Sequence, residues 1–298
     1  MERPEVGNVT EPENQQAQRR AYLIRALLSE HGDCAGVEVP ASEAQQRSLL
    51  RALMNVRPAM PASTEFLQVQ DAYLQAETTA RGLVDIADLQ PVEQVGNPSG
   101  GDCASEGGIY LWQGDICTLR CGAIVNAANS AMTGCWHPNH TCIDNCIHTY
   151  AGIQLRLECD RIIRDQGHPE PTGRAKITPA YNLPCHYVLH TVGPIVDGRP
   201  SPDDERLLAS CYRSCLELAR ANDVESVAFC CISTGVFGYP NDAAAQVAVS
   251  TVRNFLREAA GDDDSDAGNG SGGDRNGMKV VFNVFKDVDL HIYQQLLG

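Results

Sequence analysis

The sequence predicts a layered α/β domain, with helices packed on a largely parallel, mixed sheet, preceded by a small helical N-terminal extension. From Gly108 onward, strand-like and helix-like stretches alternate, which is the order that builds helix-covered sheets. Two of the strands, Ala123-Ile124-Val125-Asn126-Ala127 and Val227-Ala228-Phe229-Cys230-Cys231-Ile232, are apolar without alternation, as central strands covered on both faces must be. The first hundred or so residues show helical spacing instead, which sets them apart.

In chain order, Arg19 to Glu30 reads as a helix, Ala41 to Val56 as a second opening near Ser42, and Ser63 to Ala80 as a third. Pro58 and Pro61 divide the latter two. Gly96-Asn97-Pro98-Ser99-Gly100-Gly101 has linker composition, so residues 1–105 are expected to form the extension and linker and 106–298 the main domain. Strands are expected at Ile109 to Trp112, Ala123 to Ala127, Lys176 to Tyr181, Tyr187 to Val192, Val227 to Ser233 and Lys279 to Phe285. Helices are expected at Cys142 to Gln166, Asp203 to Ala221 and Asp242 to Ala260. Residues 261–277, with an Asp262-Asp263-Asp264 run and many glycines, lack the apolar content of a core and are expected to be a disordered surface insertion.

Composition narrows the function classes. Hydrophobic residues make up 43% of the 298 and charged residues 20%, a globular balance. The formal net charge of -15 disfavours tracking along nucleic acid, which needs clustered Lys and Arg. It does not exclude a small anionic ligand, because backbone N–H groups and helix N-termini hold phosphate without basic side chains. No apolar run approaches the ~18 to 20 residues of a membrane span, and the start lacks the features of a signal peptide. A cytoplasmic monomer with no membrane or nucleic-acid partner is therefore expected. The thirteen cysteines are expected to be reduced thiols, some on a metal, rather than a disulfide framework.

The densest chemistry is Cys135-Trp136-His137-Pro138-Asn139-His140-Thr141-Cys142. Thiolate and imidazole are preferred zinc ligands, and three close ligands without a fourth leave a position open for water or substrate. Loop thiols beside a surface His would also fit, and His137 is an alternative to His140. Asp144 and His148 follow at i, i+4 on the expected helix, with Asp144 in the first turn where the helix dipole favours an anion. A helix-terminal Asp with a satisfied His below it is the bland alternative.

Asn126 and Asn129 end an apolar strand, and ligands of α/β sheets bind at strand carboxyl ends. Ser233-Thr234-Gly235-Val236-Phe237-Gly238-Tyr239-Pro240 follows another such strand, and its glycines let backbone N–H groups turn toward an anion. It matches neither the P-loop nor the dinucleotide fingerprint, and a plain strand-to-helix turn needs some of the same glycines. Gly114-Asp115-Ile116 places a carboxylate that can accept from an exocyclic amine.

Taken in order, these five stretches resemble the macrodomain family, specifically its zinc-containing protein-ADP-ribose hydrolase branch. The similarity extends through Tyr181-Asn182-Leu183-Pro184, His190-Thr191-Val192-Gly193-Pro194 and Val281-Phe282-Asn283-Val284-Phe285, and into the extension at Leu53 to Pro58 and Phe66 to Asp71. The resemblance implies a three-layer α/β/α macrodomain that binds ADP-ribose and removes mono-ADP-ribosyl groups from proteins. It implies that Asp115 and Ile116 hold adenine, with Asn283 and Phe285 shaping that end. Ser233, Thr234, Gly235, Val236, Phe237, Gly238 and Tyr239 would wrap the pyrophosphate, with Phe237 and Tyr239 near the distal ribose. Asn126 and Asn129 would contact or orient that ribose. Cys135, His140 and Cys142 would hold Zn2+, and Asp144, helped by Asn129 and His148, would be catalytic. Three rivals share these residues: a binding module without hydrolysis, an O-acetyl-ADP-ribose deacetylase, and a scaffold with a structural metal.

Overall fold

A computed structural model describes residues 11–30, 37–95, 107–265 and 277–298. Helices α1 (Glu11–Glu30), α2 (Glu43–Val56) and α3 (Thr64–Ala80) form the extension. Leu23, Ile24 and Leu27 of α1 meet Leu50, Leu53 and Met54 of α2 and Phe66, Tyr73 and Leu74 of α3 in a core of their own. That spacing places each apolar set on one helix face. The core is closed by Ile153 from the main domain. Helix α1 opens earlier than Arg19, at Glu11, with Pro12 in its first turn where proline is tolerated.

Strand β1 (Val84–Asp85) pairs with β4 (Leu119–Arg120), while β2 (Pro91–Val95) opens the main sheet. The sheet continues with β3 (Gly107–Gln113), β5 (Ala123–Ala128), β6 (Ala175–Pro179), β7 (Tyr187–Val192), β8 (Ser226–Phe229) and β9 (Lys279–Val284). Its order is β2-β3-β9-β8-β5-β7-β6. The pairings β3–β9, β9–β8, β8–β5 and β5–β7 are parallel, and the edges β2 and β6 are antiparallel. Helices α4 (Ile143–Ala151) and α5 (Ile153–Gln166) cover one face, and α6 (Pro202–Ala221), α7 (Asn241–Ser265) and α8 (Asp287–Leu297) the other. The fold is thus the expected three-layer α/β/α arrangement on a mixed sheet. No described helix is long and apolar enough to cross a membrane, and the eleven described cysteines are all free.

Several boundaries differ from expectation for local reasons. The single helix expected from Cys142 to Gln166 breaks at Gly152, whose φ of 96° is unfavourable for a side chain. Gln70 of α3 presses on the break: a Cβ at Gly152 would lie 2.7 Å from Gln70 Nε2. Gln70 Oε1 accepts from the Ile153 N–H at 3.0 Å and so caps α5 from the extension. Strand β8 ends at Phe229 instead of Ser233, where the chain enters a loop with Ser233 at φ 65°. Strand β2 and helix α8 went unread in the sequence. The first is short and begins at Pro91, as edge strands tolerate. Helix α7 runs to Ser265, into the stretch expected to be disordered. The rest of that stretch before Gly277, and the expected linker at residues 96–101, lie outside the described residues.

Candidate active site

The carboxyl ends of β3, β5, β8 and β9 open onto a cleft of about 910 Å³, where ligands of parallel sheets sit. Asp115 and Ile116 wall one end with Asn283 and Phe285. Asn283 Nδ2 donates to the Gly114 carbonyl at 3.0 Å, which ties β9 to the turn after β3. Cys135, His140, Cys142 and Asp144 wall the other end, and Ser233 to Phe237 lie along one side.

That side is a loop with unusual backbone geometry. Ser233 takes a left-handed φ of 65°, Gly238 turns back at φ 73°, and the Gly238 and Tyr239 N–H groups are spent on Gly235 and Ser233 carbonyls. The N–H groups of Gly235, Val236 and Phe237 donate to no protein acceptor among the described residues. Val236 is 80% exposed and lines the cleft with Gly235 and Phe237, so this segment is open to solvent.

Cys135 Sγ and His140 Nδ1 lie 3.5 Å apart, and the donor atoms of Cys135, His140 and Cys142 all fall within 4.8 Å of one another. His137 also borders the cleft but is outside this cluster. Cys142 is the N-cap of α4, its Sγ accepting from the Asn145 N–H at 3.4 Å. Burial pushes the Cys142 thiol up to about 12, with the Asn145 N–H opposing. A coordinated cation reverses that balance in favour of thiolate. Two soft thiols, one imidazole and an open side toward the cleft fit a zinc ion of the type that keeps a free position.

The loop carrying these donors is pinned from two sides. Asn145 Nδ2 donates to the His137 carbonyl at 3.1 Å. From the extension, Arg51 Nη2 donates to the His140 carbonyl at 2.8 Å and to Asn145 Oδ1 at 2.9 Å, and Asn55 Oδ1 accepts from the Asn139 N–H at 3.0 Å.

Asp144 sits in the first turn of α4, buried except where it meets the cleft. Its Oδ1 accepts from Asn126 Nδ2 at 2.8 Å and its Oδ2 from Asn129 Nδ2 at 3.3 Å. Burial raises its carboxyl to about 6 against those two hydrogen bonds. Asn129 itself borders the cleft, anchored by donation to the Gly134 carbonyl at 3.0 Å.

Four residues expected at the cleft stand behind its wall. Asn126 has no exposed surface and does not line the cleft; it holds Asp144 from behind. His148 shares a helix face with Asp144, its Nε2 3.5 Å from Asp144 Oδ1. One turn deeper, that face runs beneath Gly134, whose added Cβ would strike the His148 ring at 2.8 Å. Burial holds the His148 ring neutral, and it borders a cavity of about 10 Å³ on the extension side instead. Tyr239 is 1% exposed, and neither it nor Gly238 borders the cleft. Their backbone N–H groups close the loop onto Gly235 and Ser233.

Sequence reasoning passed over Tyr150, Trp136 and Gly193, which also line the cleft. Tyr150 was within reach of it: Ile143, Cys146 and Tyr150 recur at i, i+3, i+7, one face of α4.

The Macro domain model matches residues 125–248. A "Protein-ADP-ribose hydrolase" of Treponema medium is 52% identical over 283 residues, 95% of this chain and 99% of the relative. A protein of the same name from Staphylococcus aureus (strain MSSA476) is 46% identical over 93% of this chain and 94% of the relative. Among solved structures, a Trypanosoma brucei macrodomain in complex with ADP-ribose is 29% identical, with a TM-score of 0.57 over 87% of this chain and 97% of that one.

Proposed function

The chain belongs to the Macro domain family as a protein-ADP-ribose hydrolase, and from that premise we propose that it removes mono-ADP-ribosyl groups from modified proteins in a zinc-dependent reaction. The observation that carries this reading is the placement of Asp144. One buried carboxylate, steered by Asn126 and Asn129, faces the cleft beside the Cys135, His140 and Cys142 donors.

Adenine is assigned to the Asp115 and Ile116 end, where the carboxylate accepts from the exocyclic amine. The pyrophosphate is assigned to the free N–H groups of Gly235 to Phe237. The distal ribose then lies between Phe237, Asn129 and Asp144. Water adds to the anomeric carbon of that ribose as the bond to the amino-acid side chain breaks, through a transition state with oxocarbenium character. Asp144 holds the water, takes its proton and passes that proton on to the departing side chain, so that the water's OH ends on the sugar and its H on the leaving group. Zn2+ on Cys135, His140 and Cys142 would supply Lewis acidity at this end of the cleft.

The test incubates a mono-ADP-ribosylated protein with the purified chain, with and without a chelator, and follows free ADP-ribose. Release that stops with chelator and returns with added zinc supports the reading; no release in any condition overturns it. O-acetyl-ADP-ribose cleaved faster than the modified protein would favour the deacetylase alternative.

A further inference from the structure

Arg81 follows α3 as its C-cap residue and belongs to the extension. Its guanidinium is held in one orientation by three contacts. Nη1 pairs with Asp115 Oδ2, Nη2 donates to Thr78 Oγ1 at 3.2 Å, and the plane lies over the Tyr150 ring, 3.5 Å from Cζ to the centroid. The other oxygen of Asp115 accepts from the Cys117 N–H at 3.0 Å. Asp115 and Tyr150 line the cleft, whereas Arg81 stands behind them.

We propose that Arg81 is a positioning residue for the base end of the cleft, so that the helical extension helps the site select a 6-aminopurine. This rests on the assignment of adenine to Asp115. A carboxylate offers about four lone-pair sites, and the two contacts leave acceptor capacity on both oxygens. With both oxygens tethered, Asp115 meets the base in a fixed rotamer, and less side-chain entropy is lost on binding. An acceptor fixed there takes a hydrogen bond from a 6-amino group and repels a 6-oxo group. Only a planar guanidinium can pair with the carboxylate and stack on Tyr150 together. The same group thereby sets two walls of the base pocket.

The experiment measures calorimetric affinity for ADP-ribose and for its hypoxanthine (6-oxo) analogue, with KM and kcat for ADP-ribose release. The variants are Arg81→Ala, Arg81→Lys and a control, Gln75→Ala, which removes the α3 contact from Gln75 Nε2 to Asn182 Oδ1. Arg81→Ala is expected to weaken ADP-ribose about tenfold or more, as loss of a charged hydrogen bond implies. KM should rise in step with kcat nearly unchanged, and the hypoxanthine analogue, already weak on the wild type, should change little. Arg81→Lys, which keeps charge but loses the fork and the stack, should recover part of the loss and covers the case in which the alanine variant misfolds. Gln75→Ala should bind as wild type. Unchanged or tighter ADP-ribose binding in both Arg81 variants overturns the proposal, and so does an equal loss for both nucleotides. A wild-type chain that binds neither nucleotide overturns the adenine assignment itself, and the proposal with it.

Discussion

Asn126 donates through Nδ2 to Asp144 Oδ1 at 2.8 Å, from a position with no solvent exposure. The same nitrogen lies 3.2 Å from His190 Nδ1, so both amide protons are committed. The reverse amide orientation would set Oδ1 against the carboxylate. Because His190 accepts at Nδ1, its own proton sits on Nε2 and points to Thr178 Oγ1 at 2.9 Å. The acid is thus aimed from inside the core. Asn126→Ala should lower ADP-ribose release by about 100-fold, the cost of misplacing a reacting group by an ångström. It should leave ADP-ribose affinity within about 1 kcal/mol of wild type and cost about 1 to 3 kcal/mol of stability for the hydrogen bond lost inside. Single-turnover release, calorimetry and urea unfolding check the three parts.

Asp144→Asn keeps the shape and removes the charge. ADP-ribose binding should survive and release should fall by about 100-fold or more, as for loss of a general base. Release at the wild-type rate would deny Asp144 its role.

Chelation should abolish release while the melting curve persists, since the loop donors sit outside both hydrophobic cores. Unfolding on chelation is what a structural metal predicts instead. Arg51→Ala, which frees the His140 carbonyl, should weaken zinc retention about tenfold in competition with a chromophoric chelator, within the usual range for outer-shell partners.

His190 and His148 make the fold acid-labile. Burial takes His190 down to about 3 and His148 well below its usual 6.5. They are faced by Asp144 on α4, by Cys159 and Arg156 on α5, and by Thr178 on β6. In the unfolded chain each ring takes a proton near pH 6.5. Below that pH the unfolded state binds more protons at these two rings, down to about 3 for His190, so their contribution is full above pH 6.5 and declines as pH falls; Asp144, raised to about 6, opposes one of the two rings below pH 6 without cancelling both. The slope is about 1.4 kcal/mol per pH unit for each ring. His190→Gln should flatten it, and a urea midpoint constant from pH 7 to 5 would contradict it.

Gly134→Ala should be disproportionately costly. Its φ of 83° and the 2.8 Å approach of the His148 ring leave no room for a methyl, at about 1 to 3 kcal/mol for overpacking. The displaced loop begins one residue before Cys135, so zinc retention should fall as well, which the same chelator competition reads.

Much of this molecule is local and could be read as such. The two central strands announced themselves through Ala123 to Ala127 and Val227 to Phe229, because burial on both faces excludes polar alternation. The donors Cys135, His140 and Cys142 lie in one eight-residue loop, so chain geometry keeps them close. The same spacing left His137 and His140 undecided, and only the folded loop brings His140 to Cys135. His148 shows the limit of helical periodicity: i, i+4 shares a face, but a face extends inward, and one turn is enough to carry a ring from the cleft into the core.

The sequence by itself determined the alternation of strands and helices, the apolar centre of the sheet, the close Cys-His-Cys spacing and the acid beside it, since each is a pattern within a few consecutive residues. Tertiary structure alone decided that Arg81 reaches Asp115, that Gln70 caps α5, and that Asn126 and His190 aim Asp144 from behind. Those contacts join residues far apart in the chain, and a single polar side chain carries no periodicity from which its distant partner can be foreseen.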